Sequence, residues 1–177
     1  MQHVERAALG GFLMVAVASL SAPLVCVATA QRPVTRHEVV AIYFGTTGTD
    51  SLSGMVPAIQ AMKSALARQA AATGRRFISR GVSLDPGVDA GQRHLALFGG
   101  FDEMSLGGNW TNPEVIHYLG PRFDTTRTSG IPQLVLVERQ VTQDLHSLQV
   151  GPEREIARFI GTMEIDDWVR RGAPLPR

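Results

Sequence analysis

The side chains that can carry chemistry gather in one hydroxyl-rich stretch, Thr46-Thr47-Gly48-Thr49-Asp50-Ser51, and are otherwise scattered. A serine or threonine becomes a nucleophile only beside a base that takes its proton, because its hydroxyl is not ionised at neutral pH. No Gly-x-Ser-x-Gly elbow surrounds Ser51 or Ser53, and no histidine stands at a spacing that marks it as their partner. The glycines Gly45 to Gly54 also lack the Gly-Lys-Ser/Thr ending of a phosphate loop. His94, His117 and His146, with Asp102 and Glu103, are metal ligands by type, but none follows the spacing of a known motif. Asp102-Glu103 and Glu164-Ile165-Asp166-Asp167 read as solvated faces, and no metal, cofactor or catalytic residue is assigned. Cys26 is the single cysteine among the 177 residues.

Composition bounds the function classes. With 44% hydrophobic and 19% charged residues the chain has enough apolar material for one globular core. A formal net charge of +1, with the basic residues scattered, argues against nucleic acid as a partner. Arg6 precedes an apolar run from Ala7 through Leu20, Pro23 interrupts the segment, and Ala28-Thr29-Ala30 supplies small residues before Gln31. Residues 1–30 therefore read as a signal peptide, and the chain as exported, periplasmic or extracellular. An uncleaved anchor remains the alternative, since the stretch exceeds the roughly 20 residues that span a bilayer; membrane contact is expected only there. Cleavage would remove Cys26 and leave a domain stabilised by packing alone.

The elements that must position these residues alternate regularly. Residues 31–37 are expected as a linker. Val39-Val40-Ala41-Ile42-Tyr43-Phe44 is a short, nearly continuous apolar run ending at Gly45, the pattern of a strand buried on both faces. Met55, Ile59, Met62 and Leu66 then recur at offsets of four, seven and eleven, which places them on one helical face, and Gly74 supplies a C-terminal cap. Phe77 to Ser83 reads as a second strand closed by the turn Asp85-Pro86-Gly87. Between 88 and 129 a short helix is expected over Asp89 to Phe98. Asn112-Pro113-Glu114 offers an N-cap and a first-turn proline for a helix through Leu119. Gly107-Gly108-Asn109-Trp110 reads as a loop carrying a buried or docking tryptophan. Gln133 to Val141 is expected as a strand, Leu145 to Val150 as its antiparallel partner, and Pro152 as the start of a helix. That helix aligns Ile156, Phe159, Ile160 and Met163 and continues through Trp168 toward Gly172, ahead of a tail at 173–177.

Gly130-Ile131-Pro132, directly before the strand formers Gln133-Leu134-Val135-Leu136-Val137, resembles the segment that opens a central strand in the thioredoxin-like superfamily. The resemblance covers about Glu38 to Arg171. It also rests on the strand Val39 to Phe44 and on a helix bearing Pro57 near its start. It implies an α/β fold, a thioredoxin-like three-layer sandwich with a mixed central sheet and flanking helices over residues 38–172, and a cis peptide before Pro132. In redox-active relatives a Cys-x-x-Cys follows the first strand. Here Thr46 to Ser51 occupies that place without a cysteine, so thiol-disulfide exchange is excluded.

Binding is what the resemblance leaves. In redox-active relatives the backbone beside the cis-proline pairs with an extended substrate peptide, a strand-addition mode. The chain is thus expected to be a redox-inactive binding or scaffolding module for an extended peptide or envelope protein. Its groove would be formed by Thr47, Gly48, Thr49, Asp50, Ser51, Ile131 and Pro132, with Gln133 beside it and Trp110 as a docking residue. The bland alternative is that Pro132 only fixes the chain path and the loop only caps the helix through Asp50, Ser51 or Ser53. An enzyme with a metal or hydroxyl centre built from residues 88–129 is the alternative from another class.

Overall fold

Strand formers open the domain: β1 (Val34–Gly45) is buried from Glu38 onward, as its apolar run requires. The structure is a computed structural model and describes residues 33–48, 52–120 and 130–176. The chain continues through α1 (Leu52–Ala72), β2 (Arg76–Ser83), α2 (Val88–Ala96), β3 (Glu103–Ser105), a 3-10 turn at Asn109–Thr111 and α3 (Pro113–Leu119). It ends in β4 (Gln133–Gln143), β5 (Leu148–Val150), β6 (Arg154–Ile160) and α4 (Gly161–Arg170). Among the described residues no helix is long and apolar enough to cross a membrane.

The strands form one mixed sheet in the order β3-β2-β1-β4-β5, with β6 also pairing β4. β1, β2 and β3 are parallel, whereas β4 is antiparallel to β1 and to both β5 and β6. A parallel strand-helix-strand unit joined to an antiparallel hairpin and a terminal helix is the thioredoxin-like, three-layer α/β arrangement.

Each sheet face is covered differently. On one, Met55, Ile59, Met62 and Leu66 of α1 meet Leu95 and Phe98 from the α2 region, Ile165 and Trp168 of α4, and Ala41, Tyr43, Leu134 and Leu136 of the sheet. All four α1 residues are buried, so the predicted spacing marks the packed face. On the other, Val115, Tyr118 and Leu119 of α3 pack on Val40, Ile42, Phe44, Ile78, Val82, Val135 and Val137. The caps expected at the end of α1 and the start of α3 are present. The Asn112 side chain accepts from the Glu114 N–H at 2.9 Å, and Gly74 takes a left-handed conformation (φ 68°) that only glycine adopts cheaply.

Several expectations are corrected. The helix predicted from Pro152 is instead β6 followed by α4. Ile156, Phe159 and Ile160 mimic helical spacing because a bulge opposite Leu136/Val137 breaks the strict alternation of β6. Gly161 (φ 82°) then separates strand from helix, and its N–H bonds the Pro132 carbonyl at 2.8 Å. The residues taken as a linker include Val34 to His37, which belong to β1 and pair with Gln143 to Gln140. β5 is shorter than expected, because β4 runs on to Gln143 and Asp144 closes a turn by accepting from the His146 and Ser147 N–H groups. The expected tail is docked: Ala173 is fully buried, the Gln69 amide bonds the Gly172 and Ala173 carbonyls, and the Trp168 indole bonds the Pro174 carbonyl. The signal segment and Cys26 lie outside the described residues.

Candidate functional site

Register decides which chain ends meet. Gly45 pairs with Ser83, Val82 with Ser105, Phe44 with Gln133 and Gln133 with Ile160. The ends of β1, β2, β3 and β6 therefore share one sheet margin with the start of β4. The carboxyl ends of parallel strands are where open α/β sheets place their ligands. Thr46 to Gly48, Ser83 to Asp85, Ile131-Pro132 and the loop leading to Trp110 all leave from this margin.

The loop after β1 is held by a carboxylate. Asp85 is buried, at 5% exposure. Its Oδ1 accepts from Thr46 Oγ1 (3.1 Å), from the Thr47 N–H (3.2 Å) and from Thr47 Oγ1 (2.6 Å). Its Oδ2 accepts from Ser83 Oγ (2.8 Å), and its own N–H returns a bond to that oxygen (3.0 Å). Burial alone would raise the carboxyl, but the bonds from Thr47, Ser83 and Thr46 outweigh it and hold the group below its ordinary range. An ionised carboxylate already accepting four donors is an anchor and a poor base for Thr47. Sequence reasoning took Asp85 for a turn residue, because the threonines it binds stand 38 and 39 positions away.

The Ile131-Pro132 peptide is cis and Pro132 is buried. The Pro132 carbonyl is occupied by the Gly161 N–H. Ile131 is half-buried and packs on the α3-covered cluster. Among the described residues, none hydrogen-bonds to the main chain of Ile131. Gln133 is not a groove residue: it is fully buried, and its Oε1 accepts from Arg158 Nη1 at 3.0 Å.

The predicted site residues are brought together in part. Thr47 and Gly48 lie at the margin and are exposed, in the turn after the strand that neighbours the Ile131-Pro132 entry. Thr49, Asp50 and Ser51 lie outside the described residues. Trp110 is 45% exposed in the 3-10 turn after β3. The strand order nevertheless sets β3 three spacings from β4, about 14 Å, so the sheet does not place Trp110 beside Ile131.

The candidate ligand histidines lie on three different segments. His94 is buried against Phe98, His117 stacks edge-on to Tyr118, and His146 sits in the β4 to β5 turn. Asp102 is exposed, as a solvated face requires, and Glu103 is half-buried, but both are engaged. Asp102 accepts from the Ser79 N–H and Oγ, while Glu103 bridges Arg80 (2.7 Å) and Arg139 (2.6 Å). Among the described residues no three metal-ligating side chains converge.

No family model and no curated protein matches the chain. Among solved structures it is similar to a thiol:disulfide interchange protein, a thioredoxin family protein from Chlorobium tepidum TLS. The identity is 16%, over 78% of this chain and 81% of that one, with a TM-score of 0.31. A likeness that low adds nothing to the fold assignment, which rests on strand order, direction and register.

Proposed function

We propose that this domain is an exported, redox-inactive, thioredoxin-like binding module. It takes an extended peptide or a segment of an envelope protein at the sheet margin between Ile131-Pro132 and Thr46 to Gly48. The observation that supports this best is the main chain of Ile131, which no described residue engages although both neighbouring elements are pinned. Strand addition draws its affinity from main-chain hydrogen bonds and needs no thiol. The single cysteine precedes β1, which is why the module is read as redox-inactive.

The test is photo-crosslinking from p-benzoylphenylalanine placed at Gly48 in intact cells. A Cβ added there meets nothing within 4 Å among the described residues, so a side chain can start from this position. Leu145, 64% exposed in the turn at the opposite end of β4, is the control position. The expected result is one captured protein, cross-linked through an extended segment, from Gly48 alone. Equal capture from both positions, or none from Gly48, rejects the reading.

A further inference from the structure

The loop that stands where redox relatives carry their cysteines is built around a carboxylate. Four side-chain and main-chain donors, from Thr46, Thr47 and Ser83, converge on Asp85, and the fifth bond runs from the Asp85 N–H back to Ser83 Oγ. The two ends of this cluster come from different elements: Ser83 closes β2, whereas Thr46 and Thr47 leave β1. Thr47 itself is exposed, so its contact with Asp85 and not apolar packing fixes where the chain turns. Gly48 follows, its N–H bonded locally to the Thr46 carbonyl at 2.8 Å.

We propose that Asp85 is the positioning residue of the partner-binding margin: by clamping Thr46 and Thr47 to the end of β2, it fixes Gly48 as one wall of the strip whose other wall is Ile131. The inference rests on the proposed peptide edge and adds to it the device that keeps the edge preformed. Ordering a loop only when a partner arrives costs free energy that a preformed wall avoids. The clamp also narrows how a partner can bind. The Thr47 N–H is committed to Asp85 and the Pro132 carbonyl to Gly161, so main-chain pairing falls to Ile131.

The experiment compares the wild type with Asp85→Asn, Thr47→Val and Thr47→Ser, each in the full chain carrying the Gly48 photo-probe, with thermal midpoints as the folding control. Amide exchange at Thr47 and Gly48, read on the same variants without the probe, reports the clamp independently of any partner. Asp85→Asn and Thr47→Val are expected to speed that exchange about tenfold and to cut capture about fivefold, the scale of one or two lost hydrogen bonds. Thr47→Ser keeps the hydroxyl and is expected to restore both. A purely structural role would move the midpoint but not capture among the variants that remain folded. Should Asp85→Asn fail to fold, Thr47→Val carries the test, because it deletes one hydroxyl at an exposed position. Faster exchange with undiminished capture overturns the role of Asp85 and leaves the peptide edge standing. Absence of selective capture from the wild type overturns both.

Discussion

The two faces of the sheet are sealed by different physics. Against one face, α1, the α2 region and α4 bring an apolar layer in which Met62, Phe98 and Trp168 cluster with Tyr43 of the sheet. Among the described residues the one helix against the other is the seven-residue α3, and beyond its reach ion pairs line that face. Arg139 on β4 bonds Glu38 (2.8 Å), Glu103 (2.6 Å) and Glu153 (3.2 Å), while Arg80 on β2 bonds Glu103, Glu114 and the same Glu153 oxygen. Both guanidinium groups and Glu38 are below one-tenth exposed. An apolar layer loses stability in proportion to what is removed. A buried ion lattice tolerates complete replacement better than the loss of one member, because the survivor is left charged and dry.

That contrast is broken or sharpened by substitutions of decreasing effect. Arg139→Met strands Glu38, whose remaining cation, Arg76, stands at 3.8 Å. A loss of about 3 to 5 kcal/mol is expected by denaturant unfolding. Adding Glu38→Leu is expected to recover most of it, and a double variant no better than the single would mean the lattice contributes net stability. Ile59→Ala, in the apolar layer, is expected to cost about 2 to 4 kcal/mol with no second-site rescue of that kind. If it exceeds Arg139→Met, the ordering of the two faces is reversed.

The lattice face also predicts a pH response. Burial alone would raise the Glu103 carboxyl, but hydrogen bonds from Arg139 and Arg80 outweigh it and hold the group below its ordinary range. Asp102 and Asp85 are lowered too, by bonds from Ser79 and from Thr47, Ser83 and Thr46 against the opposing effect of burial. Groups lowered in the folded state stabilise it fully above their unfolded value and lose that contribution as pH falls through the folded one. The thermal midpoint is therefore expected to hold from neutrality to about pH 5 and to drop below about pH 4. Glu103→Gln should flatten that drop; an unchanged profile would remove Glu103 as a source. At the small end, Trp110→Ala is expected to change stability by less than about 0.5 kcal/mol, because the ring is 45% exposed; a larger loss by denaturant unfolding would show that it packs.

The unequal faces also explain what was legible in advance. The α1 spacing predicted the apolar layer because a helix face is a local pattern, and the Asn112-Pro113 cap predicted α3 for the same reason. The helix expected over 152–160 failed because bulged strands and helices can present similar spacing, and the need of β4 for a second neighbour decided the outcome. Glu103 read as a surface charge because its partners lie 23 and 36 residues away.

By itself the sequence determined the strand-helix-strand opening and the strand that follows Pro132, since periodicity, capping and turn residues are properties of near neighbours. Only the tertiary structure decided that Asp85 holds the loop after β1, that Gln133 is buried and that Arg80 and Arg139 close one face of the sheet. Those contacts join residues dozens of positions apart, and they follow from strand register, which no short stretch of sequence contains.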